Sequence, residues 1–213
     1  MAPKHVDKQA RRIQIYEAAI NLFAKQGVSS TTIQDIADQA GIGKGTIYEY
    51  FASKDELLTD IFTFILDDAQ TAVEKEWKKQ DNALDRLVTF FDALLAYFEN
   101  IPENFTQILL LFWAEGVIQK PGTSKESYLE GFDFKNIYLE YLDFLIETIT
   151  EAQEEGIFRK DFDAEKLASS LIGAVDGVMF QWFIVGKKIN MRGNFMELLR
   201  IVISDITIDK NSI

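Results

Sequence analysis

The sequence has no cysteine and a single histidine, His5, close to its N-terminus. Without cysteine, the chain can form no disulfide and offers no thiolate for metal binding or nucleophilic attack. One histidine near the start also leaves the rest of the chain without a histidine base or a multi-histidine metal site. We therefore expect a protein that is not an enzyme and that carries no metal and no other cofactor.

Proline and long apolar runs are also scarce. Only 3 prolines accompany a hydrophobic content of 47%, which excludes a disordered or collagen-like chain. No run approaches the roughly 18 uninterrupted apolar residues of a membrane span, and the first 30 residues lack the apolar stretch of a signal peptide. The 213 residues can bury a sizeable core. The sequence predicts a cytoplasmic protein with no membrane partner.

Charge is divided unevenly along the chain. The formal net charge is −12, yet residues 1–54 carry seven Lys or Arg against five Asp or Glu and are net +2. Residues 55–213 carry 15 Lys or Arg against 29 Asp or Glu and are net −14. An acidic total disfavours nucleic-acid binding, but the split permits a nucleic-acid contact confined to the N-terminal part.

Apolar residues recur every three or four positions over most of the chain, which predicts an all-α protein of about nine helices. The first helix ends at Gly27, the second runs from Thr32 to Gly41, and the third runs from Lys44 to about Phe51. A boundary near residue 52 divides a head, 1–52, from a body, 53–213. Further helices are predicted at about 53–77, 83–100, 103–118, 131–155, 164–187 and 194–207, with a loop over 120–130.

The two short helices around Gly41-Ile42-Gly43 have the layout of a helix-turn-helix, whose second helix enters the DNA major groove. A plain helical corner is the alternative. The second of these helices carries several hydrogen-bond donors suited to phosphates and base edges, namely Lys44, Thr46, Tyr48 and Tyr50.

About 50 residues of this region resemble the TetR family of transcriptional regulators, of the TetR/AcrR type. The resemblance rests on Ile13-x-x-x-x-Ala-Ala-x-x-Leu-Phe23 with Gly27, Thr31-Thr-Ile-x-x-Ile-Ala37, Ala40-Gly41, Lys44-Gly-Thr-Ile-Tyr-x-Tyr-Phe51 and Ser53-Lys-Asp-Glu-Leu57. It implies a three-helix DNA-binding head on a larger helical body that binds ligand and forms a homodimer.

The resemblance also implies which residues meet DNA. Thr32 and Gln34 would approach it from the second helix, and Lys54 would hold a phosphate from the fourth. The third helix would contribute Lys44, Gly45, Thr46, Tyr48 and Tyr50. Two positions depart from the family pattern: Gly43 replaces a common serine, and Glu49 replaces a common aromatic or histidine. Glu49 repels phosphates but can accept from a cytosine amino group.

The body is rich in aromatic side chains at helical spacing. Twelve of the seventeen phenylalanines fall within residues 90–183. Core packing accounts for most of them, but the family resemblance implies that some line an apolar ligand cavity. We expect that cavity to be lined by Phe91, Leu94, Phe98, Leu109, Phe112, Trp113, Tyr138, Tyr141 and Phe180. Candidate polar anchors are Glu115, Asn136, Asp176 and Gln181.

Small residues at four-residue spacing mark the penultimate helix. Ser169, Gly173 and Gly177 would let another helix approach closely, although packing within the chain is the alternative. The resemblance implies that the last two helices pair with their copies in a dimer. The predicted interface comprises Gly173, Gly177, Val178, Trp182, Leu198, Leu199 and Val202.

Together these features predict a homodimeric repressor that binds double-stranded operator DNA and is released by a hydrophobic or aromatic effector. A helical interaction or ligand-binding protein that does not bind DNA is the main alternative. A helical enzyme is the other, and the lack of a nucleophile–base motif disfavours it.

Overall fold

A computed structural model describes residues 8–106, 108–110, 133–185 and 188–208, and most of these residues are helical. The only β-structure within these ranges is an isolated bridge between Phe158 and Thr207. The all-α prediction is therefore confirmed. The helices are α1 Lys8–Gln26, α2 Ile33–Ala40, α3 Lys44–Tyr48, α4 Lys54–Trp77, α5 Ala83–Asn100, α6 Phe134–Glu154, α7 Ala164–Ile184 and α8 Met191–Ile206. Residues 103–106 and 108–110 are also helical.

The helix ends follow the capping residues in the sequence. Thr32 and Asp35 form a reciprocal capping box at the start of α2. Asp163 accepts hydrogen bonds from two backbone N–H groups in the first turn of α7. Gly27, Gly41 and Gly156 follow three helices in the left-handed conformation, where a side chain is strained.

Several helix bounds differ from the predicted ones. α3 ends at Tyr48 rather than Phe51, although the Phe51 N–H still donates to the Ile47 carbonyl at 3.0 Å. α6 begins at Phe134 because Asp133 caps it, and α8 begins at Met191 because Asn190 accepts from the Gly193 N–H. Part of the predicted 103–118 helix and the predicted 120–130 loop lie outside the described residues.

The chain forms two compact units, one of residues 1–66 with 102–132 and one of residues 67–101 with 133–213. In the first unit, α1, α2, α3 and the beginning of α4 share a core whose fully buried members include Ile15, Ile20, Ile36, Ile47, Leu57 and Ile61. The division of function at residue 52 is a separate matter and stays a prediction.

The second unit packs α5, α6, α7 and α8 around buried Leu95, Leu145, Phe158 and Phe195. Arg192 at the start of α8 donates two hydrogen bonds, at 2.7 and 2.6 Å, to the Asp92 carboxylate on α5. Such bidentate pairs fix orientation as well as distance. They set the register of α8 against α5.

By length and composition alone, α7 could cross a membrane. A core helix of a soluble protein passes the same test, so this is weak evidence for a membrane span. Asp176 lies near the middle of the helix, where a carboxylate is costly in a bilayer.

We expect Gly41→Ala to lower the free energy of unfolding by about 1 kcal/mol, because a Cβ is strained at its φ of +65°. Gly45→Ala is the matched control. Its added Cβ also meets no atom within 4 Å, but the glycine lies inside α3 without a positive φ. For this control, the free energy of unfolding should stay unchanged or rise by up to about 1 kcal/mol. Urea unfolding without DNA measures both, and equal effects would remove the strain explanation.

Candidate nucleic-acid interface and effector region

Two buried side chains hold the helix-turn-helix against the first unit. Ile47 points inward from the middle of α3, and Phe51 follows α3 into the same core. A hydrogen bond also holds α2 against α1: the Gln14 side-chain amide on α1 donates to the Ala40 carbonyl at 2.7 Å. These contacts leave the opposite side of α3 available to DNA.

The predicted α2 residues, Thr32 and Gln34, are both exposed. In this structure the Thr32 hydroxyl donates to the Asp35 carboxylate at 2.7 Å, and the Gln34 amide donates to Asp38 at 2.8 Å. The backbone and hydroxyl bonds from Thr32 lower the pKa of Asp35. A contact with DNA would therefore exchange these hydrogen bonds for bonds to phosphate or base atoms.

On α3, Lys44, Gly45 and Tyr48 are exposed, and Thr46 is half-buried. The Lys44 ammonium lies 5.9 Å from the centre of the Tyr48 ring, and Tyr48 is 49% exposed. A cation over an aromatic face is a favourable arrangement. Gly43 supplies no side-chain cap, so the first N–H groups of α3 have no capping hydroxyl.

Tyr50 and Glu49 follow α3 directly. Tyr50 is half-buried, with its ring centre 6.3 Å from that of Phe51, and Glu49 is exposed. The exposed carboxylate places a negative charge beside the donors of α3.

Lys54 has structural partners that the sequence does not reveal. Its ammonium donates to the Val28 carbonyl at 2.6 Å and to the Thr31 carbonyl at 2.9 Å. Both carbonyls lie in the connection between α1 and α2, so Lys54 ties that connection to the start of α4. An ammonium has three N–H groups, so one is left for a phosphate.

A second tie between α1 and α4 also escapes sequence analysis. Arg12 and the Tyr16 hydroxyl both donate to one carboxylate oxygen of Asp60. The Arg12 guanidinium also lies 5.5 Å from the centre of the Phe51 ring. Burial, followed by the bond to Asp60, raises the pKa of Tyr16 to about 12. The positive charge of Arg12 is thus committed to a contact within the protein.

The predicted effector residues have varied surroundings. In the second unit, Phe91 is buried, with ring centres 5.2 Å from Phe90 and 4.8 Å from Phe195. Phe98 is buried and Leu94 is half-buried. Leu109 is buried in the first unit. Phe112, Trp113 and the candidate anchor Glu115 lie outside the described residues.

The aromatic residues predicted on α6 and α7 are more accessible. Tyr138 is 44% exposed and Phe180 is 47% exposed. Tyr141 is half-buried, with its ring centre 6.2 Å from that of Phe90. The effector cavity as a whole stays a prediction.

The predicted dimer residues divide into two groups. Gly173, Gly177 and Leu198 are exposed, and Val178 and Val202 are half-buried. Trp182 and Leu199, by contrast, are 3% and 1% exposed and pack inside the protomer, so they present almost no surface to a partner. Within α7 and α8, the large apolar side chains that are exposed are Phe180, Ile184, Leu198 and Ile201.

Two family models match the chain. The model described as "Bacterial regulatory proteins, tetR family" matches residues 15–61, and "YsiA-like protein, C-terminal region" matches residues 132–205. The chain belongs to the TetR family. The first match contains the whole helix-turn-helix with its two buried anchors.

Individual relatives match this TetR regulator over nearly its full length. The HTH-type transcriptional repressor KstR2 of Mycobacterium tuberculosis is 28% identical over 93% of this chain and 94% of its own. A structure of a regulator from Saccharomonospora viridis in complex with choline has 25% identity, covers 95% and 100% of the two chains and gives a TM-score of 0.73. The structure of FadR from Bacillus subtilis in complex with stearoyl-CoA has 21% identity, covers 91% of this chain and 98% of its own, and gives a TM-score of 0.68.

This chain is therefore a DNA-binding transcription regulator of the TetR family. Which of its residues contact DNA, effector and partner stays a prediction.

Lys44→Ala should weaken operator and random DNA binding alike and reduce the salt slope of log K by about 1, because one phosphate contact is lost. Lys54→Ala should do the same and also lower protein stability, since its two carbonyl bonds are lost. Fluorescence anisotropy at several salt concentrations and urea unfolding measure the two effects. An unchanged salt slope for Lys54→Ala would mean that Lys54 binds no phosphate and serves only to hold the connection between α1 and α2.

Proposed function

We propose that this regulator represses transcription by binding its operator as a homodimer through residues 1–52. A largely hydrophobic effector, bound by the body over residues 53–213, releases it. The single observation that carries the DNA-binding part is the exposed side of α3, where Lys44 and Tyr48 project from a helix anchored by Ile47. The repressor assignment is supported by the name of KstR2.

The effector class is supported by one relative and by side chains on the body. FadR was solved with stearoyl-CoA, whose acyl chain is hydrophobic. Tyr138 and Phe180 leave much of their aromatic surface exposed. Aromatic and apolar linings with few polar groups suit hydrophobic ligands.

Release from DNA requires that the effector bind two states of the dimer with different affinity. A dimer reads two half-sites about 34–36 Å apart, one helical turn of DNA. In the proposed mechanism, the state favoured by effector holds the two heads at a separation that no longer matches successive major grooves. The effector then lowers operator affinity without touching DNA.

The dimer surface that we propose is the exposed side of α7 and α8. It consists of Gly173, Gly177 and Ile184 on α7 with Leu198 and Ile201 on α8. A Cβ at either glycine would meet no atom within 4 Å in the part of the chain that the structure describes, so the packing seen there does not require these glycines. Exposed apolar surface of this kind marks association sites. Two glycines permit the close helix approach of a partner's α7.

Gly177→Leu should shift the protein toward monomer and weaken operator binding, because a single head engages one half-site and loses the effective concentration of the second. Analytical ultracentrifugation and operator titrations measure both changes. Glu147→Leu is the control, since it adds the same side chain at an exposed position on α6. A Gly177→Leu protein that remains a dimer with full operator affinity would place the interface elsewhere.

The function as a whole is tested on a labelled DNA fragment containing the promoter of the protein's own gene. Wild-type protein should bind it at least a hundredfold more tightly than random DNA of equal length, and long-chain acyl compounds or steroids should release the preformed complex. Equal affinity for both fragments would favour the alternative of a helical protein without DNA-specific function. An operator complex that no hydrophobic compound dissociates would overturn the effector class.

Membership of the TetR family also supports two other expectations, a non-enzymatic role and a cytoplasmic location. TetR-family members are regulatory DNA-binding proteins, which supports a non-enzymatic role for this chain. Operator binding also supports a cytoplasmic location.

A further inference from the structure

Glu49 lies at the centre of the exposed side of α3. The Glu49 N–H donates to the Gly45 carbonyl at 3.2 Å. The Phe51 N–H donates to the Ile47 carbonyl at 3.0 Å, so the helical register continues through residue 51. At about 3.6 residues per turn, Glu49 lies about 160° around the helix from each of the two buried anchors, Ile47 and Phe51. Its exposed side chain therefore points away from the core.

The fold itself does not use this carboxylate. Asp35, Asp38 and Glu56, three other acids of the first unit, each accept a hydrogen bond from a nearby side chain or backbone N–H group. No hydrogen bond or ion pair reaches the Glu49 carboxylate from the part of the chain that the structure describes. Glu49 also follows the last residue of α3, where the helix dipole disfavours a negative charge. Protein stability therefore does not explain a carboxylate at this position.

The neighbours of Glu49 direct it toward base edges rather than phosphates. Gly45 lies one turn before it on the same side of α3, and its lack of a side chain lets the backbone approach the floor of a groove. Tyr48 and Tyr50 lie about 100° to either side of Glu49. When this side of α3 enters a major groove, the flanking side chains are nearest the phosphates, and the central side chain is nearest the bases.

The chemistry of a carboxylate narrows the choice of base. An ionised carboxylate only accepts hydrogen bonds. In the major groove, guanine presents two acceptors, and thymine presents an acceptor and a methyl group, so neither suits it. Adenine presents an amino group beside the N7 acceptor, whereas cytosine presents its N4 amino group without a neighbouring acceptor. Cytosine is therefore the base that a carboxylate binds best.

We propose that Glu49 accepts a hydrogen bond from the N4 amino group of a cytosine in each operator half-site. The proposal rests on the proposed function, since it specifies one base of the operator. The negative charge of Glu49 weakens binding to every DNA through repulsion of phosphates, and the bond to cytosine offsets this loss only at the operator. Glu49 thus raises the ratio of specific to non-specific affinity.

The first test selects bound duplexes from a random-sequence DNA library with the full-length protein and determines their sequences. Wild type should enrich a half-site that contains a cytosine at the position read by Glu49. Glu49→Gln should shift that position toward adenine, because a glutamine amide both donates and accepts, as the N7 and N6 atoms of adenine require. The other positions of the half-site should stay unchanged.

A second test addresses the amino group itself. In the enriched site, that cytosine is replaced by 2-pyrimidinone, which lacks the N4 amino group and still pairs with guanine. Measured by fluorescence anisotropy, this replacement should weaken wild-type binding about tenfold. Glu49→Ala should bind the two duplexes with equal affinity, because it has no carboxylate to lose its partner.

Glu17→Gln is the matched control, because it removes the same charge from an exposed position on α1. It should enrich the wild-type half-site with its cytosine. Thermal unfolding should show that both Glu49 variants are folded, since each replaces an exposed side chain that no described residue pairs with.

Three results would contradict the proposal: the same half-site from wild type and Glu49→Gln, a shift at a position where wild type does not select cytosine, or a loss with 2-pyrimidinone that persists in Glu49→Ala. Each of them leaves the proposed function standing, because wild type still selects a half-site. A wild-type protein that enriches no sequence would instead reject the operator binding on which the proposal rests.

Discussion

The proposed DNA-binding surface is the exposed side of α3, a five-residue helix that would not be stable in water by itself. This surface therefore depends on the contacts that anchor α3. α3 keeps its position because Ile47 and Phe51 are buried on one side, while Gln14 fixes the end of α2 just before the turn. Lys54 then holds the connection that leads into α2. The proposed DNA contact thus relies on buried side chains on the opposite side of α3, and their loss would displace every donor on α3 together.

Local features were predictable from sequence to the extent that their causes are local. Thr32 with Asp35, Gly41 and Asp163 mark helix ends through bonds that span at most a few residues, and the structure has them where the sequence predicts. The Arg12–Asp60 pair spans 48 residues, and the Lys54 bonds span 26 and 23. No short-range pattern marks such contacts. The resemblance therefore predicts Lys54 as a phosphate ligand, but the sequence does not show its carbonyl partners.

α7 shows a different limit of sequence analysis. Its apolar residues surround the helix, so composition alone does not tell which side faces the core. Trp182 and Leu199 were expected at the dimer surface because the family resemblance implies that the last two helices pair with their copies. Both side chains are instead buried inside the protomer, where large apolar side chains gain most. The exposed side instead combines glycines with Phe180 and Ile184. Glycine within a helix is costly, and among the described residues none lies within 4 Å of the place that a Cβ would take at Gly173 or Gly177.

Asp176 links these two aspects of α7. It borders the proposed dimer surface and is also the described carboxylate on this helix that burial, rather than any partner, keeps away from water. Such a carboxylate is costly in the isolated protomer, so a contact that supplies positive charge would stabilise it. An effector bound in the body would act on the arrangement of α7 and α8, the helices of the proposed dimer surface. Its binding free energy then favours one arrangement of subunits, which is the differential affinity that effector-controlled DNA binding requires.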